Sequence, residues 1–297
     1  MVSRVLSQMA QVANDKSADH SAPTEQLGKG KPARHTGIGG PQDARCCILT
    51  YHEVVPAQAS YLYSVTSGQL EEHLQLVAEL QAAARPVVVA PRVTFDDGYV
   101  SNHQYALPLL EQYSVRAIFF VTAGWIGKRP GIMSWAQLRE ITSLGHEVES
   151  HSWSHKFLTH CSDSELREEM RRSKHTLEDK LGLVVDAISA PGGRFNRRAL
   201  AAAAMAGYRR VYVSNPWMNP AEQSGVRVLG RLMVQNGMNA QQLQRLFNLR
   251  GAPLLWRRTQ YQLKEILKSA LGDAVYQRMW RFLAQHDRSD GARLAQE

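Results

Sequence analysis

The sequence is poor in two features that would assign a protein directly to a class, cysteines and long hydrophobic runs. Its 297 residues include 3 cysteines, Cys46, Cys47 and Cys161, which do not form a disulfide framework. No run of about 18 apolar residues occurs, so no membrane-spanning helix is predicted. Residues 1–20 also lack the apolar segment of a signal peptide. From these absences we expect a cytoplasmic protein, able to lie at the inner face of a membrane.

Acidic residues are scarcer than basic ones. The sequence has 27 Asp and Glu residues against 35 Lys and Arg residues, a formal net charge of +8. This excess favours an anionic partner, such as a membrane surface or a phosphate-linked substrate. Nucleic acid is not expected as a partner, because the basic residues are scattered and no nucleic-acid-binding motif is present.

Composition divides the chain into three parts. Residues 1–44 are polar and rich in Gly, Pro, Ser and Lys, which predicts a disordered tail. Residues 45–250 alternate between strand-like and helix-like segments, and a hydrophobic content of 44% is enough for one large domain. Residues 251–297 predict a basic amphipathic helical tail, which either packs on the domain or touches an anionic membrane.

The alternation within residues 45–250 predicts an α/β fold with parallel strands. Helix starts are expected at two capping boxes, Ser134–Gln137 and Ser162–Glu165. Helix ends, each followed by a strand, are expected at Gly145, Gly182 and Gly207. One helix is expected over residues 102–113 and one strand over residues 184–190. Repeated βα units of this kind are either closed into a barrel or opened into a sheet.

Three of the predicted strands are followed directly by polar or turn residues. Asp96 and Asp97 follow one strand, His151 and His155 follow another, and the turn Pro191–Gly193 follows a third. In α/β barrels the chemistry occurs at the C-terminal ends of the strands. One or two carboxylates and two imidazoles at that edge suit an open site for a zinc-like ion whose bound water is the nucleophile.

These motifs resemble those of the NodB-type polysaccharide deacetylases. The resemblance lies in Thr94-Phe95-Asp96-Asp97-Gly98, His151-Ser152-x-x-His155 and Pro191-Gly192-Gly193, in that order, and extends over about residues 46–235. It implies a distorted (β/α) barrel and a metal-dependent hydrolase that releases acetate from an N-acetylated sugar. The substrate would lie in a polysaccharide, an oligosaccharide or a lipid-linked glycan, as in exopolysaccharide biosynthesis.

The resemblance also implies a role for each matched residue. Asp96 is expected to be the general base, and Asp97, His151 and His155 the metal ligands. The backbone N–H of Gly192 is expected to stabilise the oxyanion. The cofactor is a divalent ion, with Zn2+ as the first choice and Co2+, Ni2+ or Mn2+ as alternatives.

Three parts of the family pattern are missing: the arginine that orients the base, the motif that supplies the general acid, and the Asp-rich aromatic fourth motif. Ile188 stands where the family has the arginine that orients the base, so Arg194 or Arg231 would have to replace it. The Leu-x-His motif that supplies the general acid has no counterpart, because the only histidine after position 200 is His286. His52, at the end of the first predicted strand, is the candidate proton donor, with a structural role as the alternative.

Aromatic side chains in loops are candidates for stacking on the sugar. Trp125, Trp153 and Trp217 are predicted to bind substrate, together with Pro191 of the glycine-rich turn. Residues 212–217 are expected to supply an aromatic wall in place of the family's fourth motif. For each tryptophan, packing within the protein is the alternative.

Two other functions fit parts of the same pattern. One is hydrolysis of a small non-sugar amide by an allantoinase-like enzyme, which the intact Asp96-Asp97 pair and the two histidines disfavour. The other is a non-catalytic carbohydrate-binding protein on a decayed deacetylase scaffold. The missing arginine and general acid favour this second alternative, and the intact metal ligands count against it.

Overall fold

The computed structural model describes residues 48–83, 91–216, 221–223 and 225–248, together with residues 256 and 259. Its strands are β1 (Ile48–Tyr51), β2 (Glu53–Val55), β3 (Ser64–Thr66), β4 (Arg92–Phe95), β5 (Ala117–Val121), β6 (Glu147–Ser150), β7 (Ala187–Ser189), β8 (Arg210–Val213), β9 (Ala221–Gln223), β10 (Val226–Gly230) and β11 (Leu232–Met233). Its α-helices are α1 (Ser67–Ala82), α2 (Leu107–Gln112), α3 (Trp135–Ser143), α4 (Asp163–Leu181), α5 (Arg197–Met205) and α6 (Ala240–Phe247). The tail predicted over residues 1–44 lies outside the described residues, as does the tail over residues 251–297 apart from Trp256 and Thr259.

Parallel strands form a nearly closed barrel. Their order is β11-β1-β4-β5-β6-β7-β8-β10, and β9 pairs antiparallel with β10. Only Arg231 separates β10 from β11, so one short segment pairs with β8 at its start and with β1 at its end. This segment joins the two edges of the sheet. The (β/α) barrel predicted from the sequence is confirmed.

Side chains of the strands alternate between the inside of the barrel and the layer beneath the helices, as the two-residue period of a strand requires. On β5, for example, Ile118 and Phe120 belong to a small inner cluster, whereas Phe119 and Val121 belong to the large core shared with the helices. The inner cluster consists of Ile48, Ile118, Phe120, Ala187, Tyr212 and Leu229. Apolar residues therefore fill the barrel on one side, and polar residues collect at the carboxyl ends of the strands.

The predicted helix boundaries are set by local hydrogen bonds. Both capping boxes are present, with Ser134 and Ser162 as the N-caps of α3 and α4. Helix α4 ends at Gly182, whose φ of 68° is the left-handed conformation that terminates a helix. Within the described residues, no helix combines the length and the apolar character that crossing a bilayer needs.

Two predicted elements differ from the structure. Residues 102–113 are not one regular helix: Asn102–Ala106 form a π-helical turn that leads into α2. Pro108 has no N–H for an ordinary helical bond, which disrupts the pattern at this point. The strand predicted over residues 184–190 shortens to Ala187–Ser189, and Val184 is exposed instead of paired.

Candidate active site and metal centre

The predicted metal ligands meet at the carboxyl ends of β4 and β6. His151 Nε2 lies 3.2 Å from Asp97 Oδ1, and His155 Nε2 lies 3.1 Å from the same oxygen. The three donor atoms lie within 4.8 Å of one another. Asp97 and His151 are buried, whereas the His155 side chain keeps 29% exposure. The cluster therefore has an open side, as a catalytic metal site requires.

Hydrogen bonding around these ligands fits a cation. His151 Nδ1 lies 2.9 Å from the carbonyl oxygen of Ser189, an atom that only accepts, so Nδ1 carries the proton. In a neutral imidazole the Nε2 lone pair then faces Asp97 Oδ1, which is buried without a hydrogen-bond partner among the described residues. Two lone pairs facing each other repel unless a proton or a metal cation lies between them. Orientation of a ligand imidazole by a carbonyl is the usual arrangement around bound metals.

Backbone strain is concentrated at the same place. In the described chain, four non-glycine residues have positive φ, and three of them are Asp97 (72°), Ser152 (64°) and His155 (64°). Such conformations cost free energy and persist where the surrounding structure enforces them, which is common at functional sites. Here Ser152 Oγ accepts the backbone N–H of His155 at 3.1 Å and so braces the turn.

A buried arginine holds the expected base. Arg231 donates to both carboxylate oxygens of Asp96, with each N–O distance 2.7 Å. Ser189 Oγ donates to Asp96 at 3.0 Å and accepts from Arg231 at 2.7 Å. Although burial raises the pKa of Asp96, the charges of Arg231 and His151 lower it below its ordinary value. Asp96 is therefore an ionised, rigidly oriented carboxylate.

The structure decides between the two arginines considered from the sequence. Arg231, at the junction of β10 and β11, points into the barrel and is 1% exposed. Arg194 lies over the ring of Phe157, at 4.8 Å from its centroid. Ile188, at the position of the family's arginine, packs in the outer core. The arginine that contacts Asp96 thus lies between β10 and β11 and not in β7.

A carboxylate from helix α4 fixes residues 151–155, the loop after β6 that we call the metal loop. Glu169 is buried and accepts the backbone N–H groups of Trp153 and Ser154, both at 2.9 Å. It also accepts the Ser154 hydroxyl at 2.5 Å. These bonds hold the residues between His151 and His155. No local pattern in the sequence indicates this role of Glu169, because only the packing of α4 on β6 brings it to the loop.

His52 follows β1 and lies at the same edge of the barrel. Burial lowers its pKa, while the carboxylates of Asp96 and Asp97 act in the opposite direction. Its Nδ1 atom is buried without a hydrogen-bond partner among the described residues, and its ring lies 5.7 Å from that of Tyr63. The side chain is therefore in electrostatic range of the base and the ligands.

The glycine-rich turn after β7 lies beside the metal loop. Gly192 has φ of 64°, and a Cβ at this position would come within 2.4 Å of the Phe157 ring. Only glycine fits this turn, which leaves Gly192 exposed while Pro191 is buried. The position of Gly192 is compatible with the predicted oxyanion role. Because Pro191 is buried, little of its side chain is available for the predicted contact with substrate.

The predicted aromatic residues have different surroundings. Trp125 is half-buried, and its ring lies 5.1 Å from that of His155. Trp153 packs against the backbone of Gly124, whose amide donates to the Trp153 carbonyl at 2.9 Å. Trp217 lies outside the described residues. Tyr212 is fully buried inside the barrel, so the expectation that it begins an aromatic wall is wrong.

Two tyrosines near the site were missed from the sequence. Burial and the negative charge of Asp97 raise the pKa of Tyr61, which is 57% exposed. The same two causes, in that order, raise the pKa of Tyr99 to about 12. Both hydroxyls are therefore within electrostatic range of the metal ligands. Tyr61 lies in the loop between β2 and β3, where no local pattern indicates a function.

The fold and the site together define a (β/α)-barrel hydrolase of C–N bonds, and comparison with known proteins agrees. The family model described as polysaccharide deacetylase matches residues 87–211. YxkH of Bacillus subtilis (strain 168), whose name assigns it provisionally to the polysaccharide deacetylases, is 32% identical over 210 residues, which are 66% of this chain and 74% of YxkH. The chain belongs to the polysaccharide deacetylase family.

More distant relatives share parts of the chain or the fold. The peptidoglycan-N-acetylglucosamine deacetylase PgdA of Listeria monocytogenes is 32% identical over 107 residues, 36% of this chain but only 22% of PgdA. The deacetylase PplD of Streptococcus pyogenes, solved in complex with acetate, superposes with a TM-score of 0.61 at 22% identity and covers 69% of this chain and 98% of PplD. IcaB of Ammonifex degensii gives a TM-score of 0.59 at 22% identity, covering 70% of this chain and 99% of IcaB. At these identities the two solved structures support the barrel fold.

Proposed function

We propose that this protein removes the N-acetyl group of an N-acetylated sugar within a glycan and releases acetate. The observation that carries the proposal is the placement of the Asp96–Arg231 pair beside the cluster of Asp97, His151 and His155. A base and a metal site next to each other at an open barrel end are what hydrolysis of an amide needs.

Asp97, His151 and His155 would hold a divalent ion, with zinc as the first choice for a site of two imidazoles and one carboxylate. Such an ion, when bound, supplies Lewis-acid activation of water and of the acetamide carbonyl. PgdA, a named N-acetylglucosamine deacetylase, is among the relatives, which supports N-acetylglucosamine as the sugar unit.

The residues of the chain carry the proton transfers. Asp96 accepts a proton from the attacking water as the new C–O bond forms, and Arg231 keeps the carboxylate in place. The N–H of Gly192 donates to the carbonyl oxygen as negative charge develops there. His52 is the predicted donor of the proton that the nitrogen gains as the C–N bond breaks, and the proton taken up by Asp96 replaces it through solvent. The products are acetate and a free amine on the sugar.

The sugar-binding alternative loses one of its two supports. It was favoured by the missing base-orienting arginine, and Arg231 now makes that contact with Asp96. The buried, bidentate pair of Arg231 and Asp96 supports the enzymatic function, because it orients the predicted base. The cytoplasmic location, the lipid-linked substrate and the membrane contact of the C-terminal tail rest on the sequence alone and stay predictions.

The proposal is tested by measuring acetate release from penta-N-acetylchitopentaose by protein loaded with Zn2+ or Co2+. The variant Asp96→Asn should bind metal like the wild type and lose turnover by about 100-fold to 10,000-fold, the usual contribution of a general base. Equal turnover in the wild type and in Asp96→Asn would contradict the role of Asp96. No acetate from any N-acetylated glycan, with metal bound, would remove the proposed function.

A further inference from the structure

Basic and aromatic side chains form a rim beside the metal loop, which we call the cationic rim. Its members are Trp125, Lys128, Arg129, Trp153 and Arg172. The Arg129 guanidinium lies 4.1 Å from the centroid of the Trp125 ring, and that ring lies 5.1 Å from the ring of His155. The Trp125 indole therefore lies between the positively charged Arg129 and the predicted metal ligand His155.

The second tryptophan of the cationic rim carries two more charges. Arg172 from helix α4 lies 3.9 Å from the centroid of a Trp153 ring, and the Lys128 ammonium lies 5.7 Å from it. Trp153 itself is fixed by its packing on Gly124 and by the hydrogen bond that its backbone N–H donates to Glu169. The cations of the rim are thus held by two rings, that of Trp153 in the metal loop and that of Trp125 in the loop after β5.

The charges of the cationic rim are poorly neutralised. Among the residues that the structure describes, no carboxylate forms an ion pair with Lys128 or Arg129, and Arg172 has only Glu168 at 3.9 Å. The buried acid Glu169, which contacts the backbone of Trp153, is engaged with the loop amides. Lys128, Arg129 and Arg172 are all exposed, so an incoming group can reach them.

Such an arrangement favours an anion. A cation–π contact holds a cation in place without neutralising it, so the guanidinium edge keeps its donors for a ligand. Guanidinium groups bind carboxylates and phosphates through paired hydrogen bonds, and three cations at one rim raise the local concentration of anionic substrate. A neutral sugar would need the exposed faces of the rings, which these cations partly cover.

We propose that the cationic rim binds a carboxylate or phosphate carried by the glycan, next to the sugar whose acetamide is cleaved. The preferred substrate is then an anionic glycan and not a neutral one. This inference rests on the proposed function, since it names the substrate class of the same site.

The test compares three probes in steady-state kinetics. They are neutral penta-N-acetylchitopentaose, an oligosaccharide of alternating N-acetylglucosamine and N-acetylmuramic acid, which bears carboxylates, and an N-acetylglucosamine oligomer with a terminal phosphate monoester. The variants are Arg129→Gln and the triple variant Lys128→Gln/Arg129→Gln/Arg172→Gln. The control is Arg171→Gln, because Arg171 is exposed on the same helix and pairs with Glu168 at 3.0 Å.

We expect the wild type to have a higher kcat/KM for at least one anionic probe than for the neutral one, and this advantage to shrink as salt rises. The triple variant should lose about tenfold of kcat/KM on that probe, through a higher KM, which corresponds to about 1.4 kcal/mol of binding free energy. The kcat/KM of the triple variant on the neutral probe should differ from the wild-type value by less than twofold. The kcat/KM of the Arg171→Gln control on the anionic probe should also differ from the wild-type value by less than twofold. The anionic probe whose kcat/KM falls in the triple variant shows whether the cationic rim binds a carboxylate or a phosphate.

An equal loss on neutral and anionic probes, with metal content and melting temperature unchanged, would show that the cations only support the rings and would overturn the inference. The proposed function would survive that result. If no probe is turned over, calorimetric binding of the same three probes to the wild type and the triple variant still decides the inference. Equal affinities for charged and neutral probes would then reject it.

Discussion

The environment of Asp96 shows how single residues set the chemistry of this site. Its carboxylate is buried, and Arg231 and Ser189 occupy both oxygens. Arg231 also donates to Thr94 Oγ1 at 3.2 Å. Asp96 is therefore held as an ionised carboxylate in one orientation, and as the proposed base it would accept a proton along a fixed direction.

Replacing Arg231 by lysine should slow catalysis without removing the metal. A lysine keeps the charge but cannot make the two parallel bonds to Asp96, so the carboxylate loses its orientation. We expect kcat to fall by about tenfold or more, within the range that general-base catalysis contributes. Metal content should stay at the wild-type value, and Arg194→Lys serves as the control. Unchanged kcat in Arg231→Lys would contradict the positioning role.

The sequence predicted the ligands and the base but left two candidates, Arg194 and Arg231, for the residue that orients the base. Asp96, Asp97, His151 and His155 lie within short motifs, whose resemblance to the polysaccharide deacetylases implied their roles. Arg231 is 135 residues away from Asp96 in the sequence and approaches it because β10 and β11, which it connects, close the barrel. No local pattern carries that information.

At the scale of elements, helix α4 supports the metal loop that follows β6. Glu169 accepts two loop amides and one loop hydroxyl, and Ser152 braces the turn from within. The ligand His155 has positive φ, so the loop needs these bonds to keep a strained conformation.

Removing the Glu169 carboxylate should weaken metal binding although Glu169 touches no ion. In Glu169→Ala the amides of Trp153 and Ser154 lose their acceptor, and the loop can relax away from the ligand geometry. We expect the Kd for Zn2+ to rise by about 10-fold to 100-fold, the usual effect of groups that orient ligands. Glu168→Ala, an exposed neighbour on the same helix, should leave the Kd unchanged. A wild-type Kd in Glu169→Ala would reject this support.

Elements determined by local sequence were predicted well, and elements determined by neighbours were not. The capping boxes at Ser134 and Ser162 are confirmed, because a cap requires only residues three positions apart. The length of β7 depends on its pairing with neighbouring strands, whereas the π-helical turn at Asn102–Ala106 precedes Pro108, whose effect on the helix was not predicted. Their hydrophobic spacing did not distinguish them from a regular helix and a longer strand.

At the scale of the whole molecule, the barrel has chemically different ends. The carboxyl ends of the strands carry the site, whereas Glu149 and Arg210 pair at 2.8 Å toward the amino ends. Burial raises the pKa of Glu149 to about 8, although the charge of Arg210 acts against this. The folded protein therefore binds a proton that the unfolded chain releases at a lower pH.

This shift predicts a stability that falls as pH rises. The ordinary pKa of the Glu149 carboxyl is 4.5, so its protonation favours the folded state fully below pH 4.5, and that contribution is lost as pH rises through about 8. The loss is at most about 5 kcal/mol, since the shift is about 3.5 pKa units and one unit corresponds to about 1.4 kcal/mol. Urea unfolding at pH 5 and pH 9 measures it.

The Glu149→Gln variant isolates this effect, because an amide keeps an acceptor for Ala187 N–H but does not titrate. Its difference in unfolding free energy between pH 5 and pH 9 should be smaller than that of the wild type. Glu147→Gln, which removes an exposed partner of the same Arg210, should behave like the wild type. Identical pH profiles for Glu149→Gln and the wild type would refute the raised pKa.

The proposed hydrolysis requires a divalent ion at the barrel mouth, so bound metal per chain is the most direct measurement. We expect about one equivalent of Zn2+ or Co2+ in the wild type, a large loss in His155→Ala, and no change in His175→Ala, whose histidine is exposed on α4. Cobalt spectra would report the same site independently. No bound metal in the wild type, even after addition of zinc or cobalt, would contradict the hydrolase mechanism.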